Sequence, residues 1–433
     1  MSSSHRLIEK PVFTEEMKRE YTILMPDMLS FHFDLLEGVF RQHGFNVIVI
    51  KTSHKGIIEQ GLKTVHNDTC YPALLVIGQL IDAIKSGEYD LNKTALLMSQ
   101  TGGGCRASNY IALLRKALEQ QGLGHVPVLS LNFSGLEKQA SLPISTGMLV
   151  KMFHCILYSD FMMGIVNQCI PYEVSEGESI ALVKTWNQRL LKQMSSPAFV
   201  RLGRNYKAIL ADFAKIPMRK TPKVKVGIVG EIYLKYAPLG NNDLEKFLVD
   251  EGAEVVNTGI LDFIMYWSHG YIYDKKLYGN TGFSHYIHRI ALGYLMRRQR
   301  QMIRIIEKQG IFRPPADFAS IMKMTEGYLD HGVKMGEGWL LTADMLELIH
   351  NGVSNIVSAQ PFGCLPNHIV AKGMIRKIKD NHPEANIVAV DYDPGASRIN
   401  QENRIRLMLA NAKNALGVPD ASAGPGVGQP VVG

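Results

Sequence analysis

Short apolar runs alternate with longer amphipathic stretches along most of the chain. The runs at residues 21–26, 45–50, 94–99 and 126–131 are brief and almost continuously apolar, which predicts strands buried on both faces. The stretch between the first two reads as a helix. Residues 72–85 predict a second helix, with Pro72 in the first turn, where a missing N–H costs nothing. Residues 107–120 predict a third, stopped by Gly122.

Residues 141–217 are mostly helical in pattern and lead to a polar segment, 218–223, whose Pro222 marks a domain boundary. A second alternating unit follows, with strands at 224–229, 253–256, 355–359 and 386–390 and helices at 243–251, 365–379 and 400–414. A long, mainly helical insertion occupies 260–350. Such alternation implies parallel sheets covered by helices on both faces. The predicted fold class is therefore α/β, with two tandem Rossmann-like or flavodoxin-like parallel-sheet domains, a helical insertion and a ligand cleft between the domains. The predicted division is an arm at 1–20, a first domain with its helical connector at 21–217, a second at 223–415, and a disordered Gly/Pro-rich tail at 417–433.

The 433 residues, 46% hydrophobic and 20% charged, are enough for two or three domains with a large core. No apolar run is read as reaching the roughly eighteen residues that span a bilayer, and the N-terminus lacks a hydrophobic signal region, so a cytoplasmic protein without a membrane partner is expected. Five cysteines are too few for a disulfide framework. The net charge of +7 is spread along the chain, which argues against a nucleic-acid partner. The one dense basic cluster, Arg297, Arg298, Arg300 and Arg304, reads as a solvated helix face or as an anion or partner contact. There is no P-loop, and 226–231 (Val-Gly-Ile-Val-Gly-Glu) lacks the full dinucleotide fingerprint.

Three cysteines share one local setting. Cys70 lies in His-Asn-Asp-Thr-Cys-Tyr-Pro, Cys105 in Gln-Thr-Gly-Gly-Gly-Cys-Arg, and Cys364 in Gln-Pro-Phe-Gly-Cys-Leu-Pro-Asn-His. Each ends a turn and opens a predicted helix, whose positive end should favour the thiolate. Cys105 and Cys364 follow predicted strands, at the edge where open α/β sheets gather ligands. Gly102, Gly103, Gly104 and Gly363 would let the backbone approach a bulky cofactor and aim amides at it. Two readings remain open from the residues alone: ordinary half-buried cysteines at turns, or three ligands of one iron–sulfur cluster with an iron left free for chemistry. Cys155 and Cys169, in apolar helical surroundings, read as small core hydrophobes.

The segments 66–73, 99–110, 227–233, 336–342, 360–368 and 391–403 resemble the 2-hydroxyacyl-CoA dehydratase, benzoyl-CoA reductase and double-cubane-cluster superfamily over roughly residues 17–415. The contexts are most similar to the branch that also occurs fused to large activases. The resemblance implies a 4Fe–4S cluster held by Cys70, Cys105 and Cys364 between two α/β domains, with Gly104 and Gly363 beside it. It implies an ATP-hydrolysing activase partner carrying its own 4Fe–4S cluster, which donates low-potential electrons for a difficult reduction or a radical 2-hydroxyacyl-CoA-type dehydration. It also implies pairing, as a homodimer or as a heterodimer with a paralogous cluster subunit. A double cubane would have to be shared between subunits, since only three cysteines have the right setting. The alternative is a non-catalytic electron-relay or scaffold subunit. No catalytic residue is assigned. His269, His285 and His288 read as proton donors or as polar members of a helical cap, Asp391 and Asp393 as turn and capping residues, and Glu337 as the cap of the helix after it.

Overall fold

The computed structural model describes residues 13–66, 68–101, 104–132, 142–219, 221–279 and 282–417. The predicted arm and tail fall largely outside these residues, although Glu15–Glu20 forms a short helix with no buried side chain. The eight predicted strands are present, their ends within two residues of the predicted limits: β1 (Thr22–Pro26), β2 (Asn46–Ile50), β3 (Thr94–Gln100), β4 (Val128–Asn132), β5 (Lys225–Gly230), β6 (Glu254–Asn257), β7 (Asn355–Pro361) and β8 (Asn386–Tyr392).

They form two four-stranded parallel sheets of the same order, β2-β1-β3-β4 and β6-β5-β7-β8. In each sheet the chain builds outward from the first strand and then crosses to its other side. Each sheet therefore has a switch point, between β1 and β3 and between β5 and β7, where loops diverge and leave a crevice. The crossovers into β3 and β7 occupy equivalent places. In the first sheet this crossover holds the helices Lys55–Thr64 and Tyr71–Lys85; in the second it has grown into the insertion, with helices Ile260–Tyr278, Phe283–Gln309, Phe318–Met324 and Leu340–His350.

The helix Lys55–Thr64 was not anticipated. Its Gly61 lies so close to the next helix that a Cβ there would stand 2.4 Å from the Leu74 carbonyl oxygen, and one on Gly78 would stand 2.3 Å from that of Ile57. These glycines serve close helix packing, whereas in a lone sequence they read as helix breakers. The predicted helix 365–379 is also corrected. After Cys364 it passes through a π-helical turn, Asn367–Ala371, and a 3₁₀ turn, Lys372–Met374, before Ile375–Asn381. Tertiary bonds fix the irregular turn: the Thr342 hydroxyl donates to the Val370 carbonyl, and the buried Asn367 amide donates to the Ala359 carbonyl at 2.9 Å.

Two large cores run through the molecule. One joins a face of the first sheet to the connector helices and to the insertion, through Tyr158, Phe161, Tyr206, Met265 and Trp339. The other joins Leu24, Leu96 and the Cys70 helix to Val226, Ile228, Tyr233 and Ile405, so both sheets contribute to it. At the centre lies the helix Thr146–Cys169, which by length and composition could cross a membrane; 67% of its most apolar stretch is buried inside the protein, which marks it as a core helix. This corrects the reading of the apolar runs: Lys151, His154 and Asp160 interrupt the run without ending the apolar helix. Asp160 accepts from His32 at 2.6 Å and from the Ile260 and Leu261 amides, tying the first domain to the insertion.

Candidate functional site

The site is built where the two sheets' ligand edges face each other. Cys70 opens the helix Tyr71–Lys85, Cys105 follows β3 and caps a 3₁₀ turn, Arg106–Asn109, and Cys364 follows β7. Gly363 has a left-handed φ of +74°, and a Cβ on it would lie 2.9 Å from the Cys70 Cα. The Tyr71 amide donates to the Phe362 carbonyl at 2.9 Å. The Cys70 and Cys364 turns are thus clasped together across the two domains. Gly336, in the insertion, closes the third side: a Cβ there would be 4.0 Å from the Cys105 sulfur and 3.2 Å from Pro366. The three predicted cysteine turns therefore meet, whereas Cys155 and Cys169 are fully buried in the first core.

Among the described residues no group of three or more His, Cys, Asp or Glu side chains surrounds a single-ion site. Gly102 and Gly103 lie outside the described residues. Gly104 is present, but its amide donates to the Met335 sulfur at 3.1 Å. The half-exposed Met335 sits where a Cβ on Gly104 would collide.

The expectation of stabilised thiolates needs correction. Burial pushes all three thiols up, Cys105 to about 12, and outweighs the amides of Ala73, Ala107 and Asn367 that favour the charged forms of Cys70, Cys105 and Cys364. The carboxylates of Glu337 and Glu231 also raise Cys105 and Cys364, and Cys70 and Cys105 act on Cys105 and Cys364 respectively. Helix ends alone are too weak to overcome desolvation and two nearby acids. The Cys70 sulfur also lies 3.0 Å from the Tyr110 hydroxyl, in a pocket that buries the phenol.

Glu231 and Glu337 are the site residues that sequence reasoning missed or misplaced. Glu231 ends β5 and caps Ile232–Tyr236, accepting from the Leu234 amide at 3.0 Å. Glu337 does not cap the helix that follows it; its carboxylate accepts from the Ile232 amide at 3.0 Å, tying the insertion to the end of β5. Burial, then the neighbouring Glu337, raises Glu231 to about 8, and burial also raises Glu337. The signal for Glu231 was its place at the end of a strand, on the sheet edge that also singled out the Cys105 and Cys364 turns. By topology Glu231 corresponds to Asp27 after β1, Cys364 to Cys105, and the 336–339 turn before Leu340–His350 to the Cys70 turn before Tyr71–Lys85. Tyr266 donates to the Gly336 carbonyl at 2.9 Å, fixing that turn from below.

Beside this site Lys235 is buried, bonded to Thr258 and at 2.9 Å to Asp344, with Glu337 and Asp344 lining a cavity of about 20 Å³. That is room for one water. The histidines lie elsewhere. His269 bonds to His331 at 3.1 Å and packs on Trp339, and burial, then His331, lowers it to about 4. His288 stacks on Tyr271 with ring centres 4.2 Å apart, and His285 is buried. These contacts make them parts of the helical cap. Asp393 accepts from the Gly395 amide at 2.7 Å in a turn, and Asp391 pairs with Lys372 at 3.0 Å on the surface.

Residues 22–90 match a family model described as CoA enzyme activase uncharacterised domain (DUF2229). The matched segment holds β1, β2 and the Cys70 helix, and it stops before β3, Cys105 and Cys364. No curated protein matches the chain. Over this first part the chain is similar to the CoA enzyme activase family, in keeping with the acyl-CoA dehydratase and activase superfamily that its motifs resemble.

Proposed function

We propose that the chain is an iron–sulfur component of an activase-dependent acyl-CoA dehydratase or reductase system, with Cys70, Cys105 and Cys364 as the ligands of a 4Fe–4S cluster. The observation that carries this reading is the meeting of three cysteine turns from distant parts of the chain, held by Gly363 against Cys70 and by Gly336 against Cys105. The donor set suits such a group. Cys70, Cys105 and Cys364 would hold a multi-iron cluster, whose ligands need not surround a single point as those of one ion do. When bound, the cluster would supply low-potential electron transfer and one iron free of protein ligands. Its positive irons would also reverse the upward pressure that burial places on the thiols.

The chain's own residues have definable tasks. The Ala73, Ala107 and Asn367 amides and the Tyr110 hydroxyl stabilise negative charge on the three sulfurs. The Glu231 carboxyl, raised by burial and by the neighbouring Glu337, lies beside the cysteines, where a reduction or a dehydration needs a proton donor. The insertion, anchored by Glu337 and Tyr266, limits access of water to this edge. The activase partner and its ATP belong to the same proposal, and the match to the activase family supports them.

The test is anaerobic reconstitution with iron and sulfide, followed by metal assay and electron paramagnetic resonance of the reduced protein. About four irons per chain, and loss of most of them in Cys105→Ser, Cys70→Ser and Cys364→Ser but not in Cys155→Ser, is the expected result. Iron content unaffected by Cys105→Ser, or absent from the reconstituted wild type, refutes the assignment.

A further inference from the structure

The helix Phe283–Gln309 has two apolar faces. One faces the protein through Leu292, Leu295, Met302 and Ile306. The other points to solvent. Phe283, Ile287, Ile290 and Tyr294 recur at positions i, i+4, i+7 and i+11, with Phe283 81% and Ile290 75% exposed. Tyr286 lies beside them on the same helix. A large aromatic side chain offers on the order of 200 Å². With the observed exposures the patch presents roughly 600 Å², the lower end of what each partner gives to a specific protein–protein interface, and the upper end of what a monomer's surface leaves bare.

The stripe is also complementary to itself. Laid antiparallel against a second copy with the two-fold axis at Ile290, Ile290 meets its own counterpart. Ile287 then meets Gly293 of the second copy, and Phe283 meets Arg297. Gly293 is open, since a Cβ there would have no neighbour within 4 Å, so the opposing isoleucine has room to seat. Arg297 is exposed at the end of the apolar stretch, placed to lie over a phenyl ring. Antiparallel pairing also sets the helix dipoles against each other favourably. We infer that the exposed face of Phe283–Gln309 is an isologous dimer interface, occupied by the same helix of a second copy of this chain with Ile290 on the axis.

Analytical ultracentrifugation of the full chain tests this. Wild type is expected to sediment as a dimer at micromolar concentration. Ile290→Glu is expected to weaken self-association at least a hundredfold while leaving circular dichroism unchanged, because in the single chain the side chain faces solvent. Ile290→Cys is expected to form covalent dimers on mild oxidation, and Tyr278→Cys, off the axis, to form far fewer. A monomeric wild type, a dimer indifferent to Ile290→Glu, or cross-linking no better at 290 than at 278 overturns the interface. So does a wild-type monomer that co-floats with anionic phospholipid vesicles, which would assign the face to a membrane surface.

Discussion

Replacing Gly363 by Ala examines the clasp between the two domains. The residue sits at φ +74°, where an L-residue costs about 1–2 kcal/mol. The new methyl would also lie 2.9 Å from the Cys70 Cα and 3.2 Å from its nitrogen. Both backbones are fixed, because the Tyr71 amide is bonded to the Phe362 carbonyl. Such overpacking adds about 1–3 kcal/mol. Gly252→Ala supplies the control, since Gly252 has φ +85° with nothing within 4 Å of a built Cβ and bears only the conformational cost. Urea unfolding of both metal-free variants should therefore separate them by about 1–3 kcal/mol, a substantial part of an ordinary domain's stability. Gly363→Ala should also lose reconstituted iron, whereas Gly252→Ala should keep it. If the two variants unfold within about 0.5 kcal/mol of each other, the close approach of the cysteine turns is not a stabilising contact and the reasoning fails.

Further outcomes follow from the buried charges. Glu231 is raised from 4.5 to about 8 on folding, so its contribution to stability is complete below pH 4.5 and is lost as pH rises towards 8. Unfolding of Glu231→Gln against wild type should show the variant gaining relative stability over that window, and a flat difference contradicts the burial argument. In the metal-free protein the Cys105 thiol, pushed up to about 12, should be alkylated slowly by iodoacetamide at pH 8, and Glu337→Gln, which removes one of the charges raising it, should speed that reaction. Lys235→Met leaves the buried Asp344 without its cation and should cost about 3–5 kcal/mol in urea unfolding, much of it regained by adding Asp344→Leu.

The strands were legible because a strand buried on both faces must be a short apolar run, and such runs stand out wherever turns bound them. The cysteine turns were legible for a related reason: Cys105 and Cys364 each close the turn that follows a strand. What escaped depended on contacts distant in sequence. Gly61 and Gly78 look like helix breakers until the crossing that needs them is seen, and the π-helical turn after Cys364 is held by the Thr342 hydroxyl, which reaches the Val370 carbonyl from another helix. The thiol expectation failed on magnitude: a helix end is a local effect, while the burial and the Glu231 and Glu337 charges that oppose it are tertiary. Glu337 was visible as a residue, but its bond to the Ile232 amide spans about a hundred positions.

The nesting of Gly363 against Cys70 joins two properties that many proteins keep apart. The seam between the halves and the mouth of the cysteine site are one contact, so the chain cannot spread its lobes without drawing Cys364 away from Cys70 and Cys105. Anything that props the seam open dismantles the ligand set, and anything that grips all three sulfurs at once locks the lobes shut.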